Sequence, residues 1–286
     1  VQAFEQLIKS HGGQIVLNAD VKRVISTKGK ARGVVCSDEK EYFANKAIIC
    51  SMTPNQLYER LLEPDDVPGQ IAQQTDAFRY GHGDMQIHLA LNNAPQWDNA
   101  ELNQVAIIHL TPGLDGVSRA MNEADRGLLP TCATIVVGQP AALDPSRVPE
   151  GKGLLWIQLQ ELPRHIKGDA AGEIDVPADG SWTQEVREAY ADRIIDRIAQ
   201  HIPNLQQNII ARTVLSPADL EAININLVGG DPYGGECSLD QYFLWRPLRA
   251  LKNHQTPLKN LYHIGASTHP GPGLGGGSGY LVAKNL

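Results

Sequence analysis

The sequence predicts an α/β protein. The two ends of the chain are expected to form the trailing part of a nucleotide-binding α/β unit, and the middle a mixed or antiparallel sheet with helices. Three observations lead to this prediction. The first fifty or so residues have the pattern of a helix, a hairpin and a continuously apolar strand. The β-type segments of the middle are widely separated, which disfavours a βαβ repeat. Near the C-terminus, a short strand runs into a glycine-rich stretch and then a helix.

Composition bounds the class of protein. The 286 residues are 42% hydrophobic and 20% charged, which suits one large domain or two ordinary ones and excludes disorder. A net charge of −7 argues against a nucleic-acid-binding surface. No apolar run approaches the roughly eighteen residues of a membrane helix, and no secretory signal is present. Because the first residue is Val1, inside a helical pattern, we expect a fragment or a processed chain.

The four cysteines indicate a reducing compartment. They are far apart and lack the spacing of a zinc site, and Cys36 and Cys50 each end an apolar run. Buried thiols are therefore expected, with no metal. A cytoplasmic location follows, with peripheral membrane contact left open.

The first 53 residues predict the partial nucleotide-binding unit. The expected elements are a helix closed by two glycines, a strand, a hairpin and a buried strand: Val1–Ser10, Gln14–Asn18, Asp20–Ile25 with Gly33–Cys36, and Ala47–Cys50. Pro54 then interrupts the pattern.

Residues 54–215 predict the second, sheet-rich domain. Strands are expected at Met85–Leu91, Ala133–Val137 and Gly153–Gln160. A capping box at Ser181–Gln184 predicts the start of a strong helix, which Pro203 ends. Residues 216–286 are then expected to return to the first domain.

The glycine-rich stretch after Ile264 is the most distinctive local feature. Residues 271–276 formally match G-x-G-x-x-G, but residues 268–270 separate them from the strand and no acidic residue follows at the expected distance. A strand, glycines and a helix N-terminus still offer open backbone to a flat or anionic ligand. The alternative is a loop that only packs closely.

A few side chains are candidates for chemistry by position. His269 suits acid–base catalysis or hydrogen bonding, and Tyr233 is a second candidate base. Arg246 suits a phosphate or carboxylate ligand, or a buried pair with Asp240 or Glu236. His82 and His88 have no third ligand nearby, so no metal is predicted there. The common serine-hydrolase, zinc-protease and P-loop motifs do not occur.

The C-terminal blocks resemble those of a known family. Leu261–Gly271, with the glycines up to Gly279, resembles the C-terminal FAD motif of phytoene desaturase-type flavoproteins. Residues 216–220, 229–235 and 238–247 are similar to blocks of the branch that contains the pyridine nucleotide-disulfide oxidoreductase domain-containing protein 2 relatives. Residues 11–24 and 48–54 resemble that family's second FAD-domain block and its return strand.

The resemblance implies a Rossmann-like FAD domain, a substrate domain, and oxidation of an apolar, isoprenoid- or carotenoid-like substrate by hydride transfer to FAD. It places the cofactor-binding positions on the hairpin, on the turn after the buried strand and on the glycine-rich stretch. These positions are Val21, Ser51, Met52, Gly265, Ala266, Thr268, His269, Pro270, Gly271, Gly273, Gly279 and Tyr280. No catalytic residue is identified by it.

The sequence departs from the family pattern at its start. The leading strand with G-x-G-x-x-G is not in this chain, so we expect the C-terminal part of a longer enzyme. Such a part is expected to be inactive alone and to bind FAD weakly or not at all. Two alternatives stay open: an amine oxidase, and a non-catalytic module that binds lipids or prenylated partners in the manner of the dissociation inhibitors.

Overall fold

A computed structural model describes residues 1–252, 254–273 and 275–286. The chain divides into two compact units. Unit 1 comprises Val1–Arg79 and Cys237–Leu286, and unit 2 comprises the intervening residues, Tyr80–Glu236. The divisions predicted from the sequence fall after residues 53 and 215, and the assignment of an FAD domain and a substrate domain stays a prediction.

The elements are numbered in chain order. The strands are β1 Val21–Thr27, β2 Lys30–Cys36, β3 Glu41–Phe43, β4 Ile48–Ser51, β5 Gly83–Leu91, β6 Ile107–Leu110, β7 Leu128–Leu129, β8 Ile135–Gly138, β9 Gly153–Leu162, β10 Gly168–Asp169, β11 Ile209–Leu215 and β12 Leu261–Ile264. The α-helices are α1 Gln2–Ser10, α2 Gly69–Asp76, α3 Leu114–Asp125, α4 Gln184–Ala199, α5 Leu205–Asn208, α6 Pro217–Ile223 and α7 Gly277–Asn285. No helix of the described residues is long and apolar enough to cross a membrane.

Unit 1 begins as the sequence predicts, with one exception. Helix α1 is followed by the antiparallel sheet β1-β2-β3, which confirms the predicted hairpin. Gln14–Asn18, however, is not a strand. Its apolar side chains Ile15, Val16 and Leu17 are exposed. An apolar run becomes a strand only where a neighbouring backbone pairs with it, and none of the described strands lies beside this run.

The second sheet of unit 1 joins distant parts of the chain. Strand β4 pairs in parallel with β12, and Ile48 lies opposite Leu261 while Ser51 lies opposite Ile264. The carboxyl ends of both strands therefore lie at one edge, where ligands of open α/β sheets bind. This parallel pairing confirms the α/β character predicted for the chain ends.

Unit 2 is built on a five-stranded antiparallel sheet. The strand order is β11-β5-β9-β8-β6. Alternate residues of the central strands, such as Met85, Ile87 and Ile157, are fully buried in one core with helix α4. The opposite alternate residues form the second face of the sheet. The predicted antiparallel sheet with long connections is confirmed.

The start of helix α4 differs from the prediction. Its N-cap is Thr183, whose side chain accepts a hydrogen bond from the Val186 backbone, so the predicted capping box at Ser181 is wrong. Thr183 has extended backbone angles and lies at the required three-residue distance from Val186. A complete capping box instead opens α6, between Ser216 and Asp219.

Candidate functional site

The glycine strip, residues 265–273 and 275–279, runs from the carboxyl end of β12 into α7. Leu274, inside its G-x-G-x-x-G match, lies outside the described residues. Gly265 has φ of 104°, and a Cβ built there would lie 3.1 Å from Ser51 Oγ. Its N–H donates to Ser278 Oγ over 3.1 Å, which ties the strip's start to the first turn of α7. Only glycine combines this backbone angle with such close approach to the β4 end.

The middle of the strip is held by its own turns. Thr268 Oγ1 donates to the Gly265 carbonyl over 2.9 Å, and the Gly271 N–H donates to the Thr268 carbonyl over 2.7 Å. Beyond this turn the backbone is uncovered. Side chains built at Gly273 and Gly275 would have no atom within 4 Å. The strip therefore presents bare backbone beside a helix N-terminus, as a flat or anionic ligand requires.

A buried histidine fixes the neighbouring turn. His263 Nε2 lies 2.7 Å from the Met52 carbonyl, so this nitrogen carries the hydrogen and donates it. His263 Nδ1 lies 3.4 Å from Tyr58 Oη. Burial lowers the pKa of His263 to about 4, which keeps the ring neutral. His263 thus locks the Ser51–Met52 turn against the end of β12, a role that the sequence analysis did not find.

A cavity of about 390 Å³ adjoins the strip inside unit 1. Five basic or imidazole side chains line it: Arg246, Lys252, His254, His263 and His269. None of its lining residues in the described part of the chain is acidic. Burial lowers the pKa of His254. The charge of this cavity is complementary to an anion.

The described contacts of Arg246 and Asp240 involve different partners, and the pairing of Arg246 with Asp240 or Glu236 stays a prediction. The Arg246 guanidinium lies 5.2 Å from the centre of the Tyr242 ring, and the Asp240 carboxylate binds Arg79 over 2.8 Å. The side chains of Arg79 and Asp240 are both about half exposed, so the Asp240 carboxylate keeps much of its hydration in this pair. Arg246 itself is 3% exposed and lines the cavity.

The structure brings together only part of the predicted cofactor set. Ser51 and Met52 lie at the β4–β12 edge, from which the strip and then Tyr280 continue. The predicted positions within the strip are Gly265, Ala266, Thr268, His269, Pro270, Gly271, Gly273 and Gly279. Val21 instead begins β1, and its carbonyl accepts a hydrogen bond from Arg60. The two candidate bases belong to different units. His269 is in unit 1, and Tyr233 is in unit 2.

Unit 2 has its own concentration of polar groups on the second face of the sheet. This polar sheet face consists of Asp84, Gln86, His88, Gln158, Gln160 and Thr213. Its positions alternate with core residues along β5, β9 and β11. Tyr233 Oη donates to Gln160 Oε1 over 3.0 Å, which places Tyr233 beside this face.

Comparison with known proteins identifies the class. No family model matches the chain. It is 26% identical over 284 residues to the mouse protein named pyridine nucleotide-disulfide oxidoreductase domain-containing protein 2, covering 96% of this chain and 47% of the mouse protein. It is 27% identical over 278 residues to a lycopene-forming phytoene desaturase of a Paracoccus species, covering 96% of this chain and 50% of the desaturase.

A solved structure shares the fold. An oxidoreductase from Methanosarcina mazei superposes with a TM-score of 0.54 at 13% identity, over 93% of this chain and 48% of that one. The chain thus shares the fold of the matched half of that structure, and it spans about half the length of the curated relatives it matches. The predicted resemblance to phytoene desaturase-type oxidoreductases is confirmed along almost the whole chain.

Proposed function

We propose that this chain forms part of a flavin-dependent oxidoreductase that oxidises an apolar, isoprenoid-like substrate. The observation that carries the proposal is the glycine strip, where two parallel strands end beside the locked Ser51–Met52 turn and the N-terminus of α7. When bound, FAD supplies the hydride acceptor for such an oxidation.

The strip fits a flavin on steric grounds. A flat ring with a ribityl chain needs close approach to the backbone, and the uncovered positions Gly273 and Gly275 allow it. The first turn of α7 is tied to Gly265, which lies close to Ser51, and a helix N-terminus favours negative charge. Among the side chains of unit 1, Arg246 and Lys252 in the adjoining cavity supply positive charge.

Individual roles follow from these positions. We propose that Ser51, Met52 and the strip residues hold the flavin and its chain, and that Val21 contacts the adenine part through its backbone. His263 acts as a positioning residue, because its hydrogen bond fixes the Met52 carbonyl. Arg246 orients an anionic portion of the ligand.

Unit 2 is the proposed substrate domain. Its apolar core covers one face of the five-stranded sheet, and we propose that the other face binds a ligand. The substrate class rests on the relatives, several of which are named phytoene desaturases. The free cysteines suit a reducing, cytoplasmic location, and peripheral contact with a membrane stays a prediction.

A leucine at Gly275 tests the cofactor site. Gly275 has an ordinary φ and no atom within 4 Å of a built Cβ, so Gly275→Leu adds bulk to the open side without a clash inside the protein. We expect the full product of the gene to retain FAD through gel filtration. The variant should bind FAD at least about ten-fold more weakly.

Gly69→Leu is the matched control. Gly69 starts α2 in unit 1 and is equally uncovered, but it lies outside the strip, so its FAD affinity should equal that of the wild type. A full gene product that retains no flavin would contradict the proposal and favour the non-catalytic binding module. Equal FAD affinity of wild type and Gly275→Leu would contradict the placement of the flavin on the strip.

A further inference from the structure

Asp84 is the most unusual residue of the polar sheet face. It is 2% exposed, yet it lies on the second face of the sheet and outside the apolar core. Its Oδ2 accepts hydrogen bonds from the side-chain amides of Gln86 and Gln158, the latter over 3.0 Å. Its Oδ1 is buried and has no hydrogen-bond partner among the described residues.

A buried hydrogen-bond acceptor that has no donor destabilises the folded chain. A buried carboxylate oxygen without a donor loses its hydration and receives nothing in return. The two glutamine amides both bind Oδ2, so they leave Oδ1 for a third donor. Buried polar atoms that lack a partner within a protein are typical of positions completed by a ligand or an ordered water.

The neighbourhood combines polar and apolar surface. Gln86 lies opposite Gln158, and two residues further along the strands His88 lies opposite Trp156. The Trp156 ring lies across β8 at Gly138, where a built Cβ would be 2.6 Å from ring atom Cε3. The distance from Asp84 to the level of Trp156 is about 13 Å, four residues along a strand.

Tyr233 lies beside Gln160, at one end of the polar sheet face. Its hydroxyl holds Gln160, and its backbone N–H donates to Asp231, so the loop that carries it is fixed beside β9. Gln86, Gln158 and Gln160 are all half-buried. The face that these glutamines share with Asp84 is therefore partly open to solvent.

We propose that the polar sheet face binds a small amphipathic alcohol. Its hydroxyl group donates a hydrogen bond to Asp84 Oδ1, and its apolar body lies along the strands towards Trp156. This inference rests on the proposed function in one respect, namely that the ligand is the isoprenoid substrate. It narrows that substrate to one carrying a hydroxyl group.

The test compares three probes that share one carbon skeleton and differ at its end: geraniol, the aldehyde geranial and the hydrocarbon myrcene. Binding to the 286-residue chain is measured by calorimetry at about pH 8.5, where most of the Asp84 carboxyl is ionised and accepts hydrogen bonds only. We expect geraniol to bind at least about ten-fold more tightly than geranial or myrcene, as one charge-assisted hydrogen bond provides.

Asp84→Asn sharpens the test because it reverses the polarity of the free position. The amide oxygen must stay with the two glutamine amides, so the NH₂ group replaces Oδ1 and donates. A hydroxyl oxygen and an aldehyde oxygen both accept a hydrogen bond from this NH₂ group, so the variant should bind geraniol and geranial about equally, and both more tightly than myrcene. Asp175→Asn, which removes an exposed carboxylate of unit 2, is the control and should keep the wild-type order.

A second measurement uses the wild-type chain alone, so it is informative even if Asp84→Asn folds poorly. In the wild-type chain, geraniol should shift the side-chain amide NMR signals of Gln86 and Gln158, and myrcene should not. Equal binding of geraniol and myrcene, an unchanged preference in Asp84→Asn, or no binding of any probe would overturn the inference. Neither flavin nor turnover is measured, so these outcomes are separate from failure of the cofactor test.

Discussion

Replacing Asp84 by asparagine should change how the stability of unit 2 depends on pH. Burial raises the pKa of Asp84 from 3.8 to about 7, although the hydrogen bonds from Gln86 and Gln158 oppose the shift. The carboxyl group is therefore harder to ionise in the folded chain than in the unfolded chain. Its stabilising contribution is complete below about pH 4 and is lost as the pH rises to about 7.

The magnitude follows from these two pKa values. Full ionisation costs the folded state about 4 kcal/mol relative to the protonated form, since each pKa unit corresponds to about 1.4 kcal/mol. Roughly 1.5 kcal/mol of this cost is already present at about pH 5. Between about pH 5 and about pH 8, wild type should therefore lose about 2.5 kcal/mol more stability than Asp84→Asn.

Urea unfolding of both proteins at the two pH values measures this difference. Trp97, Trp156 and Trp182 lie in unit 2, so tryptophan fluorescence reports on its unfolding. A Trp245→Phe background removes the remaining tryptophan, which lies in unit 1. The two proteins share every titratable group other than Asp84, so their comparison isolates the contribution of that carboxyl group.

Two results would refute the reasoning. The first is a difference between wild type and Asp84→Asn that stays constant between the two pH values. The second is an Asp84 carboxyl carbon that titrates in NMR at the ordinary value for aspartate. Either would mean that water or a neighbouring donor reaches Oδ1 in the folded chain, and the buried acceptor would then need no ligand.

Three further substitutions probe the frame around the two sites, each by urea unfolding. His263→Ala removes the bond to Met52 and the packing on Tyr58, and should destabilise unit 1 by about 3 kcal/mol. Asp169→Ala leaves the largely buried Arg193 without its bidentate carboxylate and should destabilise unit 2 by about 3–5 kcal/mol, whereas a loss below about 1 kcal/mol would contradict a buried pair. Tyr190→Phe removes only the bond to the Pro130 carbonyl and should lose about 1 kcal/mol.

The elements set by local pattern could be predicted from the sequence. Alternating apolar residues at Met85–Leu91 predicted β5, and the apolar run before Ser51 predicted β4. These predictions were confirmed because the side-chain period alone decides which face of a strand is buried. The strand predicted at Gln14–Asn18 was wrong. The composition of a segment does not reveal whether a partner strand lies beside it.

The glycines of the candidate site in unit 1 could be predicted from the sequence, but the contacts that hold them could not. The glycines are visible in the sequence, and their assignment to a cofactor stays a prediction. The lock by His263 was not visible, because it depends on a parallel pairing between β4 and β12 across more than two hundred residues. The one signal in the sequence was a histidine within a short, otherwise apolar strand.

Asp84 shows why the second site was missed. In the sequence it precedes Met85 and looks like a polar residue at the edge of a strand. Its character arises from neighbours on β9, above all Gln158, which the chain brings opposite β5 only in the folded sheet. The alternation along Met85–Leu91 predicted the strand, but it did not reveal that one carboxyl oxygen beside it is buried.

The two candidate sites make opposite demands on the sequence, and this separates their tests. The glycine strip depends on the absence of side chains, so added bulk at Gly275 should damage it without altering any existing contact. The polar sheet face depends on the presence of one carboxyl oxygen, so Asp84→Asn should alter its preference without changing its shape. The two sites belong to different compact units, and additive effects are expected for substitutions that share no contacts. A double variant that loses flavin affinity and loses the preference for the alcohol by the same amounts as the single variants would therefore establish two independent sites.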